Sequence, residues 1–466
     1  MSDPIYRDNP YRDYSEQFER QRARQEARRL KACKTISVKI QANKLTDTQR
    51  EYLTRIFLEA KWDYNARVAF GNSHPDAKPW KADTKSTTVI HLDKDGNEVT
   101  ETFKFLTASM RQEANKKLLT SAKAIKTAKA RGRIKGSHGF KFKSEVNSIS
   151  LRQFNTDYKI KGQSIKLPKC GTPFKVRGLE QLAGLNELEF ANARLLRKPS
   201  GYYIQITVYC KKEERKKNFK TLGIDFGCSH TISLYELETG NVQQLDFWLG
   251  ESERLKRIQR KLNRRHNKGY SNNTNKGWRL RIALRKEYER LSRKKDNDAK
   301  QIVSQFKNFD MVCYQDEQIK AWSRRHGKAI QHSILGRVKA LLKGQDNTFK
   351  LSKWLPTSKF CFDCFSKHDE LQLWDREFVC PNCGCVSDRD LHAAKNMIYF
   401  ALVVKGIESL IAQNKVPTEY REPRNLVEAL LAFGKRVETS SSVESLISDF
   451  LQELSLKHEA PPLRAG

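Results

Sequence analysis

Four cysteines in this 466-residue chain have the spacing of a metal site. Cys361-Phe-Asp-Cys364 and Cys380-Pro-Asn-Cys383 are two Cys-x-x-Cys pairs separated by 15 residues. Each pair presents two thiols on one tight turn, and two such turns close a tetrahedral site suited to Zn²⁺, without which so small a segment would hardly fold. Disulfides are the alternative chemistry, and the expected cytoplasmic setting argues against them. Cys385 is a spare thiol beside the set, and Cys33, Cys170, Cys210, Cys228 and Cys313 read as ordinary buried residues. A second group of residues is acidic. An apolar segment, Leu222-Gly-Ile-Asp225, ends in a carboxylate before a Gly-containing turn. Phe309–Gln315 leads into the adjacent acids Asp316 and Glu317. Ser387-Asp388-Arg-Asp390 opens a segment of small and apolar residues at helical spacing. Singly, each acid could serve as a turn former or a helix cap. Together they are three acids at the edges of three elements, each more than 70 residues from the next. Two divalent cations about 4 Å apart need carboxylates gathered from separate elements in this way, and Mg²⁺ suits oxygen ligands that leave waters bound.

The elements that must position these groups follow from periodicity and turn residues. Residues 1–34 are a polar, charge-rich extension with a helix expected over Tyr14–Ala32, loose until bound. Thr35–Gln41 alternates as a strand, and Thr46 caps a helix whose apolar positions are Leu53, Ile56, Phe57 and Ala60. Residues 75–105 form an insertion with a hairpin, Thr88–Leu92 and Glu98–Phe103 around Asp95-Gly96-Asn97. A basic helix and the Gly-rich segment Arg131–Gly139 come next. Residues 140–220 read as short strands with turns at Gly162, Gly171 and Ser200-Gly201, a small barrel or sandwich. The segment Val443–Leu456 is helix-like, and the polar stretch Thr439–Ser442 before it suggests flexibility.

Charge narrows the partner. The chain carries 88 Lys and Arg against 54 Asp and Glu, a formal net charge of +34. Such a surplus points to a polyanion. A membrane span is not expected, because the longest apolar stretch is about eight residues (Met397–Val404) and spanning needs about 20. The charge concentrates in two stretches. Residues 116–144 hold ten basic side chains and no acidic one, and residues 251–300 hold 18 basic and six acidic. The second is interleaved with Tyr270, Trp278 and several Asn, so cations for phosphates and aromatics for bases or sugars lie together. Arg257, Arg260 and Arg264 share one helical face there and could track one phosphate strand.

An apolar strand ending in Asp225 before a Gly turn is how nucleases of the RNase H fold present their first metal carboxylate. Gly-Ile-Asp225-Phe-Gly, the strand leading to Glu317, the double Cys-x-x-Cys segment, and Asp-Arg-Asp390-Leu-His-Ala-Ala-Lys-Asn together resemble the TnpB family. These are transposon-encoded RNA-guided nucleases, related to the miniature type V CRISPR effectors. The likeness covers about residues 35–405 and includes Tyr64-Asn65, Lys141-Phe-Lys143-Ser and Leu167-Pro-Lys-Cys-Gly171. It implies a multidomain α+β chain. Residues 35–45 and 140–220 would form a wedge β-barrel with a helical recognition region, 46–139, inserted in it. Residues 221–355 and 386–405 would form a RuvC (RNase H-like) α/β domain, with a target-nucleic-acid-binding zinc ribbon at 356–385. Residues 406–466 would be a partly flexible tail.

The resemblance also implies roles. Asp225, Glu317 and Asp390 would be the catalytic Mg²⁺ ligands, with Zn²⁺ held by Cys361, Cys364, Cys380 and Cys383. Tyr64, Asn65, Lys141 and Lys143 would contact nucleic acid, beside Arg257, Arg260 and Arg264, which the charge pattern assigns. A guide RNA and double-stranded target DNA would be the partners, in a monomer or homodimer without membrane attachment. The setting would be the cytoplasm of a prokaryote or a phage host, at the nucleoid. The chain departs from the family at Gln315-Asp316-Glu317, where Glu usually precedes Asp-Leu, so the second acid is open between Asp316 and Glu317. It departs again at His392, which stands where Asn is usual and could alter the hydrogen bonding around Asp390. The expected activity is guided hydrolysis of DNA phosphodiesters beside a short flanking motif. The rival readings are a guided DNA-binding protein that does not cut and a zinc-ribbon RNA-binding protein.

Overall fold

A computed structural model describes residues 15–73, 86–92, 96–132, 142–212, 217–227, 232–246, 252–269, 274–372, 374–436 and 442–459. The chain divides into two compact units, Met1–Glu214 and Arg215–Gly466. The first contains α1 (Ser15–Arg29), β1 (Ala32–Ile40), α2 (Asp47–Ser73), β2 (Thr88–Leu92), β3 (Glu98–Thr102), α3 (Ala108–Ala130), β4 (Ser148–Leu151), β5 (Lys159–Lys161), β6 (Ser164–Lys166), β7 (Phe174–Arg177), β8 (Glu189–Lys198) and β9 (Gly201–Cys210). Alternation makes β1 a strand, with Ile36, Val38 and Ile40 turned inward. It begins at Ala32, earlier than expected, because β9 pairs with it from Ala32↔Cys210 to Lys39↔Tyr203.

Helix α1 is also shorter than expected. Arg24, Arg28 and Lys31 converge on Glu189, with Arg24 Nε 2.9 Å and Lys31 Nζ 3.6 Å from its carboxylate. The sheet runs β4-β8-β9-β1-β7-β6-β5. Its terminal strands are not paired with each other, so among the described residues the ladder does not close into the expected barrel. Helix α2 opens with a reciprocal cap, in which Gln49 N donates to Thr46 Oγ1 and Thr46 N donates to Gln49 Oε1.

The second unit contains β10 (Thr221–Asp225), β11 (Ile232–Glu236), β12 (Val242–Leu245), α4 (Glu253–Asn267), α5 (Asn275–Gln305), β13 (Met311–Gln315), α6 (Ile319–His332), α7 (Leu335–Leu342) and β14 (Thr348–Leu351). Two short hairpins follow, β15 (Phe360–Cys361) with β16 (Ser366–Lys367) and β17 (Glu377–Val379) with β18 (Val386–Asp388). Helices α8 (Arg389–Ala412), α9 (Pro423–Gly434) and α10 (Val443–Glu459) end the unit. The main sheet has the order β12-β11-β10-β13-β14, in which β11 alone runs antiparallel to the other four strands.

Period 2 assigns the two faces of this sheet. Leu222, Ile224, Ile232, Leu234, Val312 and Tyr314 bury one face against α5 and α7. Gly223 and Asp225 lie on the other, beneath α8, a helix buried on nearly every side between Arg389 and Val403. Gly223 permits that contact. A Cβ there would stand 2.0 Å from the Ala394 carbonyl oxygen and 3.0 Å from Ile398. Gly223→Ala should therefore cost about 3 kcal/mol or more, because a backbone carbonyl cannot yield as a side chain does. Urea unfolding of the purified variant would measure it, and an unchanged midpoint would contradict this packing.

Helix α8 continues to Ala412, so the boundary expected at residue 405 falls inside a helix. Beyond it, α9 and α10 bury Leu426, Leu430, Phe433, Ile447 and Phe450 in one cluster with Phe360, Phe362, Phe365 and Phe400. The C-terminal segment expected to be partly flexible is, over these two helices, part of the core. Residues Thr439–Ser441 lie outside the described residues.

Candidate functional site

Parallel pairing of β10 with β13, in the register Ile224↔Tyr314, brings Asp225 and the Gln315-Asp316-Glu317 segment to the same edge of the sheet. Helix α8 supplies the third acid. Gly223 faces Ala394, Asp225 lies two residues along the strand, and Asp390 lies one turn back along the helix. The same close approach therefore carries the two carboxylates toward each other. Asp225 is half-buried, and its proton affinity is pushed up to about 8, first by burial and then by the charges of Asp390 and Glu317. The neighbouring Arg389 and the Phe226 N–H oppose this only in part. Among the described residues these three acids do not bring one oxygen each within 4.8 Å of one another, as the four cysteines do with their sulfurs.

The ambiguous acids separate by environment. Asp316 is held by two lysines, with Lys339 Nζ at 2.7 Å and Lys350 Nζ at 3.2 Å, and these partners keep its carboxyl below the ordinary range. No hydrogen bond or ion pair occupies the Glu317 side chain among the described residues, and burial raises its proton affinity. Asp388 separates from Asp390 in the same way. It caps α8, accepting from Asp390 N at 3.0 Å and Leu391 N at 2.9 Å, and also accepts from Gln244 Nε2 at 3.1 Å. One further group belongs to this face. Ser233, opposite Asp225 in the β10–β11 register, is 1% exposed, and its hydroxyl has no partner. An orphaned buried hydroxyl beside three converging carboxylates fits a site for hydrated divalent cations.

The four cysteines meet as the spacing predicts. Their sulfurs all lie within 4.8 Å of one another, with Cys361–Cys383 at 3.7 Å and Cys364–Cys380 at 3.4 Å. Tetrahedral ligands at about 2.3 Å from zinc stand roughly 3.8 Å apart, so the donor set fits that ion. The second turn is closed by Gly384 N donating to Cys380 O at 3.0 Å, with Gly384 at φ 71°.

Residues not singled out from the sequence tie this ribbon to the acids. Gln315 Nε2 donates to Ser352 O and Leu355 O, and its Oε1 accepts from Thr357 Oγ1 at 3.0 Å. Asn396 Nδ2 donates to Thr357 O and Phe360 O. A buried polar residue ending an apolar strand was the available signal for Gln315. His392 does not act on Asp390 through these bonds. Its Nε2 lies 2.8 Å from Phe360 O, its Nδ1 lies 3.1 Å from Ser387 Oγ, and its ring stacks on Phe378 at 3.8 Å. Burial lowers its proton affinity, so the ring is a neutral pin between α8 and the ribbon.

The residues expected at nucleic acid fall in both units. Asn65 spends both ends of its amide on the Lys143 backbone, and Lys143 Nζ sits 3.9 Å from the Tyr64 ring centroid. Tyr64 and Lys143 line a cavity of about 190 Å³ with Met110, Lys117 and Ile149. Lys141 and Tyr270 lie outside the described residues. Arg257, Arg260 and Arg264 are exposed on α4, opposite the buried Leu255 and Ile258, and Arg260 also approaches Glu253 at 3.7 Å. Buried Glu287 on α5 anchors this helix, accepting from Ser252 Oγ at 2.8 Å and pairing with Arg254 at 3.6 Å.

Residues 339–397, which hold all four cysteines and Asp390, match the family described as "Cas12f1-like, TNB domain". A curated protein from Streptomyces pristinaespiralis, named "Putative RNA-guided DNA endonuclease", is 38% identical over 56 residues, 12% of this chain. The matched segment spans 14% of that relative's length. Among solved structures, a chain of the "Cas12f1-sgRNA-target DNA complex" is 12% identical with a TM-score of 0.45, covering 79% of this chain and 98% of that one. A chain of a "CRISPR-Cas12f Ternary Complex" is 11% identical with a TM-score of 0.29, covering 76% and 86%. By its motifs and by the match over its cysteine ribbon, the chain resembles the TnpB family and the related miniature type V effectors.

Proposed function

We propose that this chain is an RNA-guided DNA endonuclease. The observation that carries the reading is the convergence of Asp225, Glu317 and Asp390 from a strand end, a neighbouring strand end and a helix start, with a four-cysteine ribbon between the second and third acids. The strand order β12-β11-β10-β13-β14 supports an RNase H-like, RuvC-type assignment of the second unit. The first unit would be the wedge and recognition region. Asp225, Glu317 and Asp390 would hold Mg²⁺, and the four cysteines would hold Zn²⁺. Divalent cations bound there would activate water and neutralise charge at the scissile phosphate.

The chain's own residues then have separate tasks. Lys339 and Lys350 withdraw Asp316 from the site, leaving Glu317 available. The Asp388 cap fixes the first turn of α8 so that Asp390 is presented at its N-terminus. The arginines of α4 would grip phosphates without reading bases, and sequence would be read by pairing between guide and target.

The test is a guide exchange. Protein purified with one guide RNA and reloaded with another should cut only DNA matching the new guide. RNase-treated protein that still cuts the original sequence would overturn the reading. Guided binding without cleavage in Mg²⁺ would point to the non-cutting alternative.

A further inference from the structure

Ser233 interrupts an apolar strand. Its neighbours Ile232 and Leu234 face the α5–α7 side of the sheet, so Ser233 itself faces α8. It stands opposite Asp225 in the antiparallel register, and facing side chains in such a pair lie about 5 Å apart at Cβ on the same face. Aspartate and serine therefore point into the same space beneath the start of α8. The serine is 1% exposed, and its hydroxyl has no hydrogen-bond partner. A buried hydroxyl without a partner is costly, and alanine or valine would fill a strand interior without that cost. Its place beside a metal-binding carboxylate is what makes a hydroxyl useful there.

We propose that Ser233 is a positioning residue of the carboxylate site, its hydroxyl donating to the Asp225 carboxylate once divalent cations are bound and holding it in the ligating orientation. This rests on the assignment of Asp225 as a metal ligand. In that state the hydroxyl gains the acceptor it lacks here. The carboxylate in turn loses rotational freedom that would otherwise weaken ligation, as outer-sphere hydrogen bonds do elsewhere for metal ligands.

The experiment uses the full-length, zinc-loaded chain without nucleic acid and reads two quantities: the thermal midpoint in EDTA-free, Mg²⁺-free buffer, and the Mg²⁺ concentration giving half of the cation-induced rise in that midpoint. Ser233→Ala should leave the cation-free midpoint equal to or above that of the wild type. It should raise the half-saturating Mg²⁺ about 10-fold, the typical effect of losing an outer-sphere partner. Asp225→Asn is the control, and its Mg²⁺ response should vanish. If Asp225→Asn keeps the response, the assignment of the site fails. If Asp225→Asn loses it and Ser233→Ala matches the wild type in Mg²⁺, the role of Ser233 alone is overturned. A lower cation-free midpoint with unchanged Mg²⁺ demand would likewise make Ser233 a structural residue only.

Discussion

Asp225→Ala is expected to reduce guided cleavage by at least about 10³-fold while leaving guided binding of target DNA nearly intact, since on the proposed function it would remove a metal ligand but none of the α4 arginines proposed to grip phosphates. Glu317→Ala should be equally inactive. Asp316→Ala should retain most activity, because that carboxylate is already committed to Lys339 and Lys350. Cleavage of plasmid by the guide-loaded variants measures all three, and an active Asp225→Ala protein would remove the assignment.

The same residue has a stability signature that needs no substrate. Its ordinary value is 3.8, and burial with the Asp390 and Glu317 charges raises it to about 8 in the fold. Between those values the folded protein binds a proton more tightly than the unfolded chain. The contribution of this one carboxyl to the stability of the cation-free protein is therefore fully present below about pH 4 and is lost as pH rises toward 8. Asp225→Asn removes that loss. The variant should match the wild type near pH 4 and exceed it by on the order of 2 kcal/mol at pH 7.5 without divalent cations. Denaturant unfolding at the two pH values measures this, and equal stability at both would contradict the raised proton affinity. Mg²⁺ must displace the same proton, so its affinity should climb with pH up to about 8.

The second large effect is expected at the ribbon. Elemental analysis should find about one zinc per chain, and Cys380→Ser should lose it together with most cleavage. The loss should spread beyond the ribbon, because three devices join it to α8. His392 and Asn396 bond the Phe360 carbonyl, and Phe378 stacks on His392. Phe365 also meets Phe433 at 5.4 Å, and Phe433 meets Phe450 at the same separation. Gly434 leaves no room for a side chain there, since a Cβ would lie 2.3 Å from Phe365 Cβ. A metal-free preparation with full activity and an unchanged thermal midpoint would show that the cysteines hold nothing essential.

Much of the chemistry was legible in the sequence because it is local. Cys-x-x-Cys turns are short-range geometry, so their spacing sufficed to bring four sulfurs together in expectation. Alternation in Thr35–Gln41 and the Thr46 cap are likewise properties of a few adjacent residues. The charge of +34 and its concentration in 251–300 needed only counting. Tertiary structure decided what depends on contacts between distant segments. Asp316 and Glu317 are neighbours of similar chemistry, and only Lys339 on α7 and Lys350 on β14 separate their environments. Nothing near Gly223 in the sequence announces the Ala394 carbonyl packed against it, and only the strand register places Ser233 opposite Asp225. The packing of the C-terminal helices was not legible, because amphipathic segments near a polar stretch carry no local record of the surface that buries them. That surface is assembled from Phe360, Phe362 and Phe365 of the ribbon and Phe400 of α8, residues brought together only by folding. Local sequence thus names the candidate ligands, and long-range packing determines which of them face one another.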